Sequence, residues 1–152
     1  MGTCRLRCAM NNYEIWLRRL IYLNGAFLLL ATFAVFLPTA VMAGAHEMLG
    51  LGSFPDSKIT IYLARSTSLL YAVHGAVTLI VALKWNQFHE MVPLLAVLHV
   101  VIGLAMIGID VTSGMPRYWI VLEGGPIACF GLFLLWLYQQ AGLGATSKRA
   151  AG

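Results

Sequence analysis

Four stretches of this chain are each long and apolar enough to cross a lipid bilayer: residues 20–42, 59–83, 92–111 and 118–138. A crossing helix takes roughly 20 mostly apolar residues to span about 30 Å of hydrocarbon. No water is present at that depth to pair with backbone N–H and C=O groups, so each stretch has to be a helix that satisfies its own backbone. The expected fold class is therefore all-α, a four-helix transmembrane bundle. It divides into a basic N-terminal tail over residues 1–19, a membrane domain over 20–140 and a second tail over 141–152.

Composition agrees. Of the 152 residues, 60% are hydrophobic and 11% charged. A soluble domain has just under half apolar residues and about a quarter charged. This balance excludes an ordinary soluble globule, a disordered chain, a disulfide scaffold and a nucleic-acid binder. The net charge of +4 belongs to basic residues gathered at the ends of apolar runs, which is an orientation signal rather than a nucleic-acid footprint. With both termini inside, Arg5, Arg7, Arg18, Arg19, Lys84, Lys148 and Arg149 lie on the cytoplasmic side, against Lys58, Arg65 and Arg117 outside. The positive-inside rule then predicts N-in and C-in in the cell (inner) membrane, with the lipid bilayer itself as first partner. Tyr62, Trp85, Tyr118 and Trp119 stand near span ends, where amphipathic rings settle.

The basic pair Arg18-Arg19 and the small residues Ala43-Gly44-Ala45 suggest a cleaved signal peptide, but the apolar run between them is longer than the 7–15 residues of a signal core, so the first span is expected to stay. Cys4 and Cys8 sit in the polar tail and Cys129 inside an apolar run, which implies no disulfide framework and no zinc site.

Ionisable groups in hydrocarbon need a partner, water or a function. Arg65, Asp110 and Glu123 all fall in the outer third of their spans when depth is counted at about 1.5 Å per residue. An arginine with two carboxylates makes either an outward-facing pocket for a small polar or cationic ligand, or an ion pair that locks spans 2, 3 and 4 together. In span 3, His99, Gly103, Met106 and Asp110 share one face, which is expected to point inward; in span 2, Thr67, Tyr71, His74 and Thr78 form a similar stripe. Ala64, Ser68, Ala72 and Ala76 make a small-residue ridge on another face of span 2, suited to close helix approach.

His74 and His99 lie at similar depths, which allows three readings. They are interior histidines bonded to Tyr71, Thr78 or water; or members of a proton relay with Tyr71, as in a proton-coupled transporter; or the axial ligands of a b-type haem, with Gly75 and Gly103 making room for the ring. The first reading leads, so no cofactor and no metal is expected.

Among other marks, Asn24 is a candidate for an interhelical hydrogen bond and Pro38 for a kink or helix end. Glu123-Gly124-Gly125-Pro126 is expected to interrupt the start of span 4, and residues 43–58 to form a loop whose apolar run 46–52 lies on the membrane surface as a short interfacial segment. No nucleophile stands at a telling spacing from a base, and no phosphate loop or dinucleotide fingerprint is present, so no catalytic residue is assigned.

The run His46-Glu47-x-Leu49-Gly50-Leu51-Gly52, then Tyr62-Leu63-x-Arg65-Ser66 and Tyr71-x-x-His74-Gly75, resembles a group of uncharacterised bacterial four-helix integral membrane proteins. Gly108-Ile109-Asp110, Gly114-Met115-Pro116, Trp119 and Glu123-Gly124 belong to the same likeness. In architecture the group is similar to DoxX-like small membrane proteins. That resemblance implies an association with respiratory or redox membrane complexes and carries no activity of its own. One departure is Gly124-Gly125, where the group has a single glycine before the proline. The expected function is a non-catalytic accessory subunit or small-ligand-binding module, with a membrane-protein partner or a second copy of the chain beside it.

Overall fold

The computed structural model describes residues 11–55 and 57–143. Among the described residues it is helical with no strand. The helices are α1 (Asn12–Leu29), α2 (Ala31–Phe36), α3 (Thr39–Met48), α4 (Lys58–Leu83), α5 (Trp85–Phe88), α6 (Val92–Thr112) and α7 (Arg117–Gln140), with a 3-10 turn, His89–Met91, between α5 and α6. Four helical stretches are long and apolar enough to cross a membrane: Asn12–Phe36, Lys58–Leu83, Trp85–Thr112 and Arg117–Gln140. Much of the outer surface is large and apolar, as at Phe27, Phe33 and Leu122. Such a surface belongs in lipid rather than water. The protein is a membrane protein built as a four-helix bundle.

The first span is displaced from its expected bounds of 20–42. It begins at Asn12 because Asn11 caps it, its side chain accepting a 2.8 Å hydrogen bond from the Glu14 N–H. Hydropathy marks where apolar residues start, whereas the helix starts at its cap, one amphipathic segment earlier. That segment buries Leu17 and Ile21 and sends Glu14 to the Trp85 indole at 2.8 Å. The span ends at Phe36 because Pro38 forces the preceding Leu37 into an extended conformation (φ −62°, ψ 138°). Residues 39–48 then form a separate helix, α3, where a loop was expected to begin at Ala43. Gly50 (φ 72°) and Gly52 (φ 85°) turn the chain, and Tyr118 Oη donates to the Leu49 carbonyl at 2.8 Å. The other three spans start and stop close to their expected limits. Pro126 does not interrupt the fourth: α7 runs through it to Gln140. Proline removes one N–H from the ladder, and the rest of the helix holds.

α1 packs on α4, α2 on α4, α6 on α7 and α1 on α7. Glycines set the two tightest seams. A Cβ built on Gly75 would lie 2.7 Å from Leu29 N, and one on Gly103 would lie 2.5 Å from Ala128 N. Small residues let backbones approach closely, which is how helices associate in lipid. The crossing point on α4 is Gly75 rather than the ridge of alanines, of which Ala72 is buried beside it. α4 and α6 lack such close packing, so the bundle has one loose seam. Asn11 Nδ2 donates to the Ala141 carbonyl at 3.0 Å, tying both ends of the described chain to one end of the bundle. The apolar core sits at that same end: Leu17, Ile21, Val81, Trp85, Val92, Leu95, Leu134 and Leu137.

Candidate functional site

The loose seam holds a cavity of about 530 Å³, lined from all four spans by Asn24, Leu28, Thr67, Leu70, Tyr71, His74, His99, Ile102, Pro126, Ile127 and Phe130. In every span the lining residues lie on the far side of the core residues. Asn24 and Leu28 follow Leu17 and Ile21; Thr67 to His74 precede Val81; His99 and Ile102 follow Leu95; Pro126 to Phe130 precede Leu134. The cavity is therefore closed toward the chain ends by packed apolar side chains. Thr67, Leu70 and Pro126 are exposed and mark its mouth, Leu70 at 70% and halfway along α4. A mouth at half-height opens toward the bilayer interior.

Sequence spacing brings His74 and His99 to this cavity, and the fold brings them together. Their ring centres are 5.2 Å apart at 55°, and Phe130 meets His99 edge-on at 5.4 Å. The buried His99 is fixed at both nitrogens. Its Nδ1 donates to the Leu95 carbonyl one turn earlier at 2.8 Å, and its Nε2 meets Asn24 Oδ1 at 3.3 Å. The interhelical role expected of Asn24 is realised on this histidine. A carbonyl only accepts, so Nδ1 carries the proton, and in a neutral ring Nε2 is then an acceptor. The Asn24 amide satisfies it by presenting its NH₂ edge. Neither histidine bonds Tyr71 or Thr78, the partners expected from spacing. The His74 ring makes no hydrogen bond to a described residue, and Thr78 Oγ1 is buried without a partner. The His74 ring, like the Thr67 and Tyr71 hydroxyls, is thus a polar group of the cavity wall with no hydrogen bond to a described residue.

A haem clamped between the two histidines does not fit this arrangement. The imidazoles already touch, and Gly75 and Gly103 use their missing side chains for helix contact with α1 and α7, not for a ring slot. Among the described residues no group of three or more His, Cys, Asp or Glu gathers to hold a metal ion.

The three-residue ion cluster is corrected. Arg65 is exposed and donates from Nη2 to the Leu37 carbonyl at 3.3 Å, in a hollow with Val35, Lys58, Ile61, Tyr62, Ser66 and Leu69. It pairs with neither acid. The common depth of the three residues was legible, but Arg65 faces α2 while the acids face the bundle interior. Asp110 is 4% exposed, and its Oδ2 has no partner. Glu123 accepts a hydrogen bond from the Trp119 side chain and lies within electrostatic reach of Asp110; Tyr71 is within reach of both acids. Helical side chains slant toward their own N-terminus. Tyr71 on α4 and Glu123 on α7 therefore lean away from the chain ends, and Asp110 on the oppositely directed α6 leans toward them. Tyr71 is the link between this acidic group and the cavity that it lines.

The apolar wall of the cavity (Leu28, Leu70, Ile102, Ile127 and Phe130) carries no signal in the sequence, since leucines, isoleucines and phenylalanines occupy every face of these helices. No family model, curated protein or solved structure matches the chain.

Proposed function

We propose that this protein is a non-catalytic binding module of the cell's inner membrane, which holds a lipophilic molecule bearing a small hydrogen-bonding head group. One observation supports this above the others: a cavity of about 530 Å³ at mid-height of the bundle, with an apolar wall and a few convergent polar groups, His74, Tyr71, Thr67 and the Asn24–His99 pair. Ligand sites have this character, mostly apolar with a small number of placed polar atoms. The lateral mouth admits a ligand from the hydrocarbon. His74, free of other partners, meets its head group.

A proton-coupled conduit is disfavoured by the packed core that closes the cavity toward the chain ends. An accessory role beside a larger respiratory or redox membrane complex, suggested by the DoxX-like resemblance, is compatible with a binding module that delivers or retains its ligand. The excess of basic residues toward the chain ends supports an orientation with both ends in the cytoplasm and the Asp110–Glu123 side outward.

Native mass spectrometry of protein extracted from its own membrane in mild detergent tests the reading. The wild type is expected to carry a stoichiometric small-molecule adduct, and His74→Ala to lose most of it at unchanged unfolding temperature. Protein that is bare in the wild type, or an adduct that both His74→Ala and Tyr71→Phe retain in full, refutes it. Reporter fusions at either end that read out the external compartment refute the orientation.

A further inference from the structure

The end of the bundle that carries the chain ends holds a second hollow that the proposed function does not use. It has a volume of about 520 Å³ and lies between α1 and α4, lined by Arg18, Arg19, Tyr22, Leu23, Ala82 and Leu83 among others. Its polar side is built by two guanidinium groups. Arg18 Nε donates to the Ala82 carbonyl at 3.0 Å, which fixes the plane of the guanidinium and leaves its two terminal nitrogens unengaged by any described residue. Arg19 sits over the Trp16 ring, its guanidinium carbon 5.9 Å from the ring centre.

Neither arginine has a carboxylate partner among the described residues. Glu14, one helical turn before Arg18, gives its carboxylate to the Trp85 indole instead. Two cations without an ion-pair contact to any described residue therefore stand together at the edge of an apolar belt, and Lys84 follows Leu83 directly in the chain. Leu23 (62% exposed), one turn beyond Arg19 toward mid-membrane, and Leu83 (57% exposed), the last residue of α4 and next to Ala82, present a hydrocarbon surface, with Tyr22 alongside. Arginine holds phosphate oxygens through its planar fork, and anionic headgroups are drawn to basic residues at the membrane surface.

We propose that this hollow holds the phosphate of an anionic phospholipid, with Arg18 and Arg19 on the headgroup and the acyl chains along Leu23 and Leu83. The net charge of the pair selects against zwitterionic lipids, whose ammonium group the second guanidinium and Lys84 repel. The site is separate from the mid-membrane cavity and does not depend on the reading given to that cavity.

The test uses full-length protein in mild detergent, titrated with phosphatidylglycerol or with phosphatidylcholine of the same acyl chains, and counts bound lipid by native mass spectrometry. Phosphatidylglycerol is expected to bind the more tightly. Arg19→Gln, which breaks no hydrogen bond within the described protein, is expected to cut that preference about tenfold, the loss of one charge-assisted contact. Arg117→Gln at the opposite end leaves it unchanged. Arg18→Gln acts in the same direction; should its lost bond to Ala82 prevent folding, Arg19→Gln carries the test. Equal binding of the two lipids, or a preference untouched by Arg19→Gln, overturns the proposal. Displacement of the lipid by millimolar inorganic phosphate also overturns it, because the site would then read phosphate alone.

Discussion

Asn24 of the first span and His99 of the third meet across the bundle, with Asn24 Oδ1 3.3 Å from His99 Nε2, while the Leu95 carbonyl takes the proton of His99 Nδ1 at 2.8 Å. The pair spans the diagonal of the bundle, from the helix packed on α4 to the helix packed on α7. It sits directly above the apolar core, at the floor of the cavity. One polar contact therefore fixes the imidazole orientation and the floor of the site together.

Asn24→Leu removes that contact and leaves His99 Nε2 buried without a partner. Interhelical hydrogen bonds in membrane proteins average about 0.6 kcal/mol and reach about 1.7. A destabilisation within that range is expected by thermal unfolding in detergent. In the wild type, ¹⁵N NMR of the histidine rings is expected to show His99 protonated at Nδ1. An Nε2–H tautomer would contradict the Leu95 bond.

Gly75→Ala drives a methyl group to within 2.7 Å of Leu29 N and 2.9 Å of Gly25 O, both backbone atoms that have no rotamer to yield. α1 and α4 must then separate. Overpacking of this kind costs about 1–3 kcal/mol, so a clear drop in unfolding temperature is expected. Gly108→Ala is the control: a Cβ there meets nothing within 4 Å, and the variant is expected to be unchanged or stabilised by up to about 1 kcal/mol.

Asp110→Asn removes a buried acid whose Oδ2 has no partner. If Asp110 anchored an ion pair with Arg65, this change would destabilise the bundle by several kcal/mol, as losing one member of a buried pair does. With Arg65 turned to Leu37, the unfolding temperature is expected to hold or rise. Arg65→Leu, at an exposed position with one 3.3 Å bond, is expected to shift stability by no more than about 0.5 kcal/mol. A large loss in both variants would restore the ion-pair lock.

Cys129 is exposed on α7, midway along the fourth span. In membranes carrying a Cys4→Ser, Cys8→Ser background, a lipophilic maleimide is expected to label it and a membrane-impermeant sulfonated thiol reagent to leave it unmodified. Rapid labelling by the charged reagent from either side would place α7 outside the hydrocarbon.

Three of the spans and the cavity's polar residues were legible in the sequence. α4, α6 and α7 follow the apolar runs closely, because in lipid the length of a run and the helix that satisfies its backbone are nearly the same quantity. His74, His99, Tyr71 and Asn24 stood out because polar groups at that depth are costly and few. The start of α1 was not legible, because its first two turns carry Glu14, Arg18 and Arg19. α3 was hidden by its glycine and by the turn residues that follow.

Arg65, Asp110 and Glu123 share a height in the bundle but not a direction. Counting residues along a helix at about 1.5 Å each gives height, and at equal height the three looked like partners. Height does not give the direction in which a side chain points around the bundle. For helices apolar on every side, the sequence holds almost no facial signal to supply that direction. The sequence by itself determined that this is a four-span helical membrane protein with rare polar groups at known depths, because transfer into hydrocarbon is decided residue by residue along the chain. Which helices touch, which seam stays loose, and that the histidines meet while the arginine faces away were decided by tertiary structure. Those outcomes depend on how closely glycine-bearing backbones pack against one another, a property of pairs of helices that no single run of residues contains.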